Sequence, residues 1–380
     1  MPPHKRGNTM CIIAGYSGNK PAAPILIEML KKVEYVDGGL STGIATIHEG
    51  KLYWRKVVGD VDTLLAETDA LSLPGTTGII HSRTGGNHVE HAHPFVSDDE
   101  KLALVLNGTT WGGATAEFYK VQSEIMNDLF DKGVKIRSAV YKAEDGVRPG
   151  NVLKNGYTYH NSEPYALIVG ESVKGLTGEA LRVGMARETK KSLETLPIDV
   201  ITLAVHEDLP DTITIGTVTR PMSIGFGDGE TFTCTVPFGL PEYVQKRPVI
   251  FLPPTTVAQV TPSGLNIVST SFEGIRVEQL DFRLAKAFRE EFEKRLKYGE
   301  ENAIDIYDIP FYTEWDNIWS KPLVDSDKYV LENSRLKPVG SALYEGLWSF
   351  HKEGRLRMKL GTRIAKNGTE KKIMKFWLEN

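Results

Sequence analysis

Seven short β-rich runs crowd into residues 198–269: IDVITLAVH, DTITIG, PMSIGF, ETFTCTV, PVIFL, TVAQVT and LNIVS. Turn signals such as LPD, GDG, LPE, PPT and PSG lie between them. Runs of this length, punctuated by Gly, Pro and Asp, read as strands of a sheet joined by short turns. An earlier set has the same character: CIIAGY (11–16), GIATIH (43–48), KLYWRKVV (51–58), TTGIIH (76–81) and KLALVL (101–106). Helical spacing appears between and beside these runs. Ile25, Leu26, Met29, Leu30 and Val33 recur at three- and four-residue intervals within 21–34, and 114–132, 163–173 and 178–194 also suit helices. Residues 140–156 read as a loop. Two strand-rich regions separated by helices predict an α+β fold, with two sheets and helices packed outside them.

After residue 271 the pattern changes. Val277, Leu280, Leu284, Phe288, Phe292 and Leu296 give an amphipathic helix over 277–296. Residues 300–338 are aromatic, acidic and irregular. The end of the chain reads as a helix, SALYEGLWSFHKEG, and two strand-like runs, RLRMKL and KIMKFWL, joined through Asn-Gly at 367–368. Arg355, Arg357, Lys359, Arg363, Lys366, Lys371, Lys372 and Lys375 make this end basic. The plain reading is a solvated hairpin whose lysines guard a strand edge; a surface for a partner protein also suits it.

The formal net charge of −4 over 380 residues gives no global field for nucleic acid or anionic lipid. No run is apolar for long enough to span a membrane. Two cysteines cannot build a disulfide framework, which points to a reducing compartment, and we expect a cytoplasmic protein. Cys234 sits in an alternating strand and reads as core. GFGDGE (225–230) lacks a following helix and reads as a hairpin turn rather than a phosphate loop. His88, His91 and His93 have a spacing that could converge on a metal, yet no Cys or carboxylate pattern completes a zinc site.

Cys11 asks a different question. It follows Met10 directly, so a start at Met10 with removal of that residue would leave a thiol and a free α-amine on one residue. Four short features occur in order along the chain: Cys11 opening a strand, His-Ser-Arg at 81–83, His-Ala-His-Pro at 91–94, and Leu-Asn-Gly at 106–108. In this order they resemble the class II glutamine amidotransferases, whose glutaminase domain is an N-terminal-nucleophile hydrolase. The resemblance continues through DTITIGTVTRPMSIGFGDGETFTCT (211–235) and RPVIFL to LNIV (247–268), similar to glucosamine-phosphate synthase glutaminase domains. It implies a four-layer α/β/β/α sandwich over 11–271, an N-terminal extension or propeptide over 1–10, and a smaller C-terminal region over 272–380.

The resemblance also assigns roles. Cys11 would attack the glutamine side-chain amide, with its own α-amine as base. Asn107 and Gly108 would stabilise the oxyanion. Arg83 would bind the α-carboxylate, Thr84 would be a weak substitute for the family's substrate-binding Thr, and Glu163 is the nearest carboxylate for the α-amino group. The implied partners are L-glutamine and an ammonia-accepting synthase, with no cofactor and no metal. The chain departs from the family in having Leu106 before Asn-Gly and Thr-Gly-Gly-Asn-His after Arg83. With residues 1–10 attached, Cys11 has a peptide nitrogen, which is no base. That leaves a start at Met10, a cleaved propeptide, or an inactive protein that keeps the fold for binding. An amidohydrolase acting on another amide is a further alternative.

Overall fold

The computed structural model describes residues 11–109, 116–143, 151–275, 277, 282–308, 339–364 and 368–379. The expected extension over 1–10, most of the irregular 300–338 stretch, part of the 140–156 loop, Lys366 and Asn367 lie outside the described residues.

The first strands arise where apolar and β-branched residues alternate. β1 (Ile12–Ser17) is followed by helix α1 (Ala22–Asp37), then β2 (Ser41–His48), β3 (Lys51–Val57), α2 (Val61–Glu67) and β4 (Thr77–Arg83). β5 (Phe95–Val96) and β6 (Leu102–Thr109) precede α3 (Ala116–Asp131). A short ladder, β7 (Tyr141–Lys142) with β8 (Tyr157–Thr158), then leads to α4 (Glu163–Val173) and α5 (Gly178–Thr195). The crowded 198–269 region supplies β9 (Asp199–His206), β10 (Ile213–Thr217), β11 (Ser223–Gly227), β12 (Glu230–Cys234), the single turn α6 (Glu242–Gln245), β13 (Val249–Phe251), β14 (Thr256–Thr261) and β15 (Gly264–Ser269). The C-terminal region contributes α7 (Phe282–Arg295), α8 (Val339–Lys352) and the hairpin β16 (Leu356–Ile364) with β17 (Glu370–Leu378).

Two larger sheets result. One is seven-stranded in the order β13-β11-β12-β1-β4-β2-β3, the other six-stranded in the order β15-β14-β10-β9-β6-β5. Every ladder is antiparallel. The fold is therefore mixed α and β, with antiparallel sheets. The period-2 alternation divides each strand between two environments. Ile13, Ala45, Ile79 and Ile224 of the first sheet share an apolar cluster with Val105, Leu203, Ile215 and Val260 of the second. Ile12 and Ala14 pack instead with Leu26, Leu30 and Val33 of α1. Leu104, Leu106 and Val200 pack with Tyr165 and Val169 of α4 and Leu181 and Met185 of α5.

α2 is missing from the sequence expectation. It is a short helix whose start is fixed by one side chain: Asp60 accepts from the Thr63 N–H at 3.0 Å. The amphipathic helix expected from 277 is seen from Phe282, and residues 276 and 278–281 lie outside the described set. The GFGDGE turn joins β11 to β12, with Gly227 opposite Glu230 and Gly229 in the left-handed region at φ 68°.

The C-terminal elements share the α1 core. Phe288, Phe292, Leu343, Leu347, Phe350 and Phe376 belong to the same cluster as Leu26, Leu30, Val33 and Cys234. Cys234 is fully buried there, as its strand pattern predicts. Among the described residues no helix is long and apolar enough to cross a membrane.

Candidate active site

The candidate residues meet because three strand ends lie side by side. Ile12 pairs with Ser82, which places Cys11 beside Arg83, the last residue of β4. From the second sheet, β6 brings Asn107, whose Nδ2 donates to the Cys11 carbonyl at 2.6 Å. The backbone N–H of Thr84 faces the Cys11 thiol closely enough to favour its charged form. Burial pushes that thiol above its ordinary value, while the Arg83 cation and the Thr84 N–H pull it down; Asp37 acts with burial and Arg220 against it.

Arg83 is half-buried, and its Nη1 donates to the His91 carbonyl at 3.0 Å. Among the described residues no carboxylate pairs with it. Its surroundings are rich in imidazole. His81 and His93 lie with ring centroids 3.9 Å apart, and His160 stacks on Phe95 at 5.0 Å. Burial lowers His81 to about 3 and lowers His91, His93 and His160 as well, with the Arg83 cation adding to the effect, so these rings are neutral at neutral pH. His81 Nε2 faces the Leu106 carbonyl at 3.1 Å and, because a carbonyl only accepts, carries the proton there. His88, His91 and His93 do not converge as metal-spaced ligands: His91 Nε2 is taken by the Ser138 carbonyl at 3.0 Å, and His88 Nδ1 accepts from the Glu90 N–H. Among the described residues no group of three His, Cys, Asp or Glu side chains could hold a metal ion.

Two glycines let backbones approach here. A Cβ at Gly108 would lie 3.0 Å from the Asp199 carbonyl and 3.1 Å from a Val200 methyl carbon, so glycine keeps β6 against β9. One at Gly43 would sit 2.1 Å from the His93 carbonyl, which lies across β2. Asn-Gly at 107–108 taken alone is a turn signal, yet both residues are in β6, opposite Ile201 and Val200. Long-range pairing with β9 overrides the local turn preference.

Glu163 is committed to the 137–138 segment. It is fully buried at the start of α4, and its oxygens accept from the Arg137 N–H at 2.7 Å, the Ser138 N–H at 3.1 Å and the Ser138 hydroxyl. A carboxylate so engaged has little left for an ammonium group, which departs from the role expected for it.

Sequence reasoning missed other neighbours. Asp37, at the end of α1, is 2% exposed and accepts from the Tyr307 hydroxyl. Arg220 is 1% exposed and pairs with Asp199 at 2.7 Å. Tyr307 and Tyr344, from the C-terminal region, lie close enough for the Cys11 charge to act on them. Glu34 is fully buried and accepts from the Ser82 hydroxyl at 2.7 Å and the Val61 N–H at 3.0 Å, bracing β4 just before Arg83. A signal for Glu34 and Asp37 existed: both continue the apolar stripe of α1 one turn beyond Leu30 and Val33. Tyr307 and Tyr344 left none, since only the folded chain brings them near Cys11.

No family model matches the sequence. Curated relatives do. The glutamine–fructose-6-phosphate aminotransferase (isomerizing) of Thermosynechococcus vestitus is 27% identical over 273 residues, 71% of this chain. Those of Nostoc sp. and Aquifex aeolicus are 30% identical over 277 and 269 residues. The chain spans 38% of the length of each of these relatives. Among solved structures, the Bacillus subtilis glutamine phosphoribosylpyrophosphate amidotransferase with ADP and GMP superimposes with a TM-score of 0.50 at 17% identity, over 74% of this chain and 58% of that one. An allosteric regulatory enzyme of purine biosynthesis does so with a TM-score of 0.51, also at 17% identity, over 82% and 64%. The structural likeness establishes a shared fold, and the sequence likeness bears out the resemblance to the class II glutamine amidotransferases.

Proposed function

We propose that the chain releases ammonia from L-glutamine through a Cys11 thioester, once Cys11 is the first residue. The observation that supports this best is the Arg83 guanidinium beside the Cys11 thiol, half-buried with a carbonyl for a partner and no carboxylate among the described residues. A buried cation without an anion is costly, and the α-carboxylate of a free amino acid supplies one with the fork geometry guanidinium prefers.

A free α-amine, with a reference pKa of about 7.7–8.0, is neutral often enough near pH 7.5 to take the thiol proton. The sulfur attacks the side-chain carbonyl carbon, and the amide oxygen gains negative charge. Asn107 Nδ2 carries two N–H groups and gives one to the Cys11 carbonyl, leaving the second for that oxyanion. Gly108 N–H is the second proposed donor. Collapse breaks the C–N bond, the ammonium returns its proton to the departing nitrogen, and water then cleaves the thioester to give glutamate. Thr84 contributes its backbone N–H to the sulfur.

The three apolar clusters support reading 11–271 as a four-layer α/β/β/α glutaminase unit, with 272–380 closing the α1 side. The ammonia goes to an acceptor site on a partner synthase, and two free cysteines suit the reducing cytoplasm.

The test compares protein that begins at Cys11 with protein that retains residues 1–10, each checked by intact mass. Only the first is expected to release glutamate from glutamine, and Cys11→Ala in that form is expected to abolish release. Equal turnover with residues 1–10 attached overturns the role of the α-amine, and silence from both forms overturns the glutaminase reading.

A further inference from the structure

Glu163 is a buried carboxylate with three donors on it, and its bonds lead back to Arg83. Its oxygens hold the 137–138 segment at three points, through the Ser138 N–H, the Ser138 hydroxyl and the adjacent Arg137 N–H. The Ser138 hydroxyl oxygen also accepts from the His160 N–H at 2.7 Å. The Ser138 carbonyl, aimed by these bonds, accepts from His91 Nε2 at 3.0 Å. The His91 carbonyl in turn accepts from Arg83 Nη1 at 3.0 Å. His91 closes the one-turn segment Val89–His91, and its ring packs edge-on against Tyr141 at 5.5 Å and near His160 at 5.8 Å. A turn this short has little rigidity of its own, so the direction of the His91 carbonyl depends on where its ring is held.

We propose that Glu163 is a positioning residue for recognition of the substrate α-carboxylate, acting through Ser138 and His91 to aim the Arg83 guanidinium. This rests on the proposed glutaminase reading and assigns Glu163 a task within it, away from the substrate amine. Without the carboxylate, the Ser138 turn loses its anchor, the His91 ring loses its acceptor, and Arg83 samples several orientations of which one suits a carboxylate. The reacting amide lies at the other end of the substrate, so ground state and transition state lose binding together.

Glu163→Gln tests the relay, because the amide keeps the shape but cannot accept from all three donors. In the form that begins at Cys11, the KM for L-glutamine is expected to rise about tenfold with kcat within about twofold, as for lost charge-assisted hydrogen bonds that act on binding alone. Turnover of 4-aminobutanamide, which is glutamine without its α-carboxylate, is expected to keep its kcat/KM. Ser138→Ala removes the hydroxyl's bond to Glu163 and its bond from the His160 N–H while keeping the Ser138 carbonyl; it is expected to raise KM about threefold in the same pattern, and it serves if Glu163→Gln does not fold. Equal losses for both amides, or an unchanged KM for glutamine, overturn the inference. Calorimetric binding of L-glutamate separates it from the glutaminase reading. Wild type that binds glutamate more tightly than Glu163→Gln supports the relay even if no glutamine is hydrolysed. Equal affinity, or no binding to wild type, overturns it.

Discussion

The two ends of the chain use positive charge in opposite ways. At the strand ends around Cys11, Arg83 is half-buried and, among the described residues, has no carboxylate partner. At the C-terminal hairpin, six of the cations that look so conspicuous in sequence are answered within the chain. Arg355 meets Glu293, Arg357 meets Glu379 at 2.8 Å, and Lys359 meets Glu300. Arg363 and Lys375 both reach Asp305, at 2.6 and 2.7 Å, and Lys372 approaches Asp60 at 3.6 Å. A cation whose acid is already present holds a fold together, whereas one without an acid is available to an anionic guest. Density of charge in a sequence says nothing about which case applies; the location of the matching acids does.

The comparison makes the C-terminal region a part of the body, and the sharpest way to break it is through the shared core. Phe376 is fully buried in β17, 6.5 Å from Phe238 between ring centroids, and in one cluster with α1. Phe376→Ala is expected to lower stability by about 3–5 kcal/mol. Urea denaturation followed by tryptophan fluorescence and by far-UV circular dichroism should show one transition shifted as a whole. If a separate C-terminal transition moves while the rest stays in place, the region is an independent unit.

At the other end of the comparison, Asn107→Ala removes a donor without touching Arg83. It is expected to lower kcat for glutamine by about 10²–10³, with glutamate affinity unchanged. Rapid-quench measurement of glutamate release checks it. A rise in KM with kcat intact would place Asn107 among the binding groups and leave the oxyanion with Gly108 alone.

What the sequence disclosed, and what it hid, follows from the range of the interactions. The strands of 198–269 were readable because turn residues bound them closely and alternation is a local property. Cys11, Arg83 and Asn107 were readable because each stands at the end of such a strand, in a recognisable order. α2 escaped because seven residues carry too little period and its start rests on the single Asp60 cap. Asn107-Gly108 taken alone is a turn signal, and β9, some ninety residues on, supplies the pairing that makes it strand. Glu163 was drawn to the substrate by its type, but its place is set by donors on the 137–138 segment. The contacts of Asp37 with Tyr307, and of Thr219 with Ser341, join residues more than a hundred positions apart, and no spacing rule announces them.

Smaller effects sharpen the electrostatics of the Arg83 side. His93 is 2% exposed, with neither ring nitrogen hydrogen-bonded among the described residues, and burial together with His81, His160, Arg83 and Lys56 keeps its pKa well below 6.5. The unfolded chain takes up this proton near pH 6.5 and the folded one does not, so stability is held above that pH and lost as pH falls below it. Relative to His93→Gln, which does not titrate, wild type is expected to lose up to about 1.4 kcal/mol per pH unit below pH 6.5. Denaturation midpoints of both proteins at pH 7.5, 6.5 and 5.5 check this. A constant difference would mean that the folded protein protonates His93 as readily as the unfolded chain does.

The smallest effects lie in the hairpin, and they divide by the burial of the acid. Arg357 and Glu379 are both exposed, so Arg357→Ala is expected to change stability by no more than about 0.5 kcal/mol. Arg363 reaches Asp305, whose side chain is fully buried and which also accepts from Lys375 and the Tyr307 N–H. Removing Arg363 leaves that carboxylate short of one donor, and a cost of about 1–3 kcal/mol is expected. Neither variant should alter glutamine turnover, because both cations are spent on the chain's own acids. Loss of turnover in Arg357→Ala with stability unchanged would show that a cation in the hairpin serves the reaction or its partner, and the contrast between the two ends of the molecule would then fail at its exposed edge.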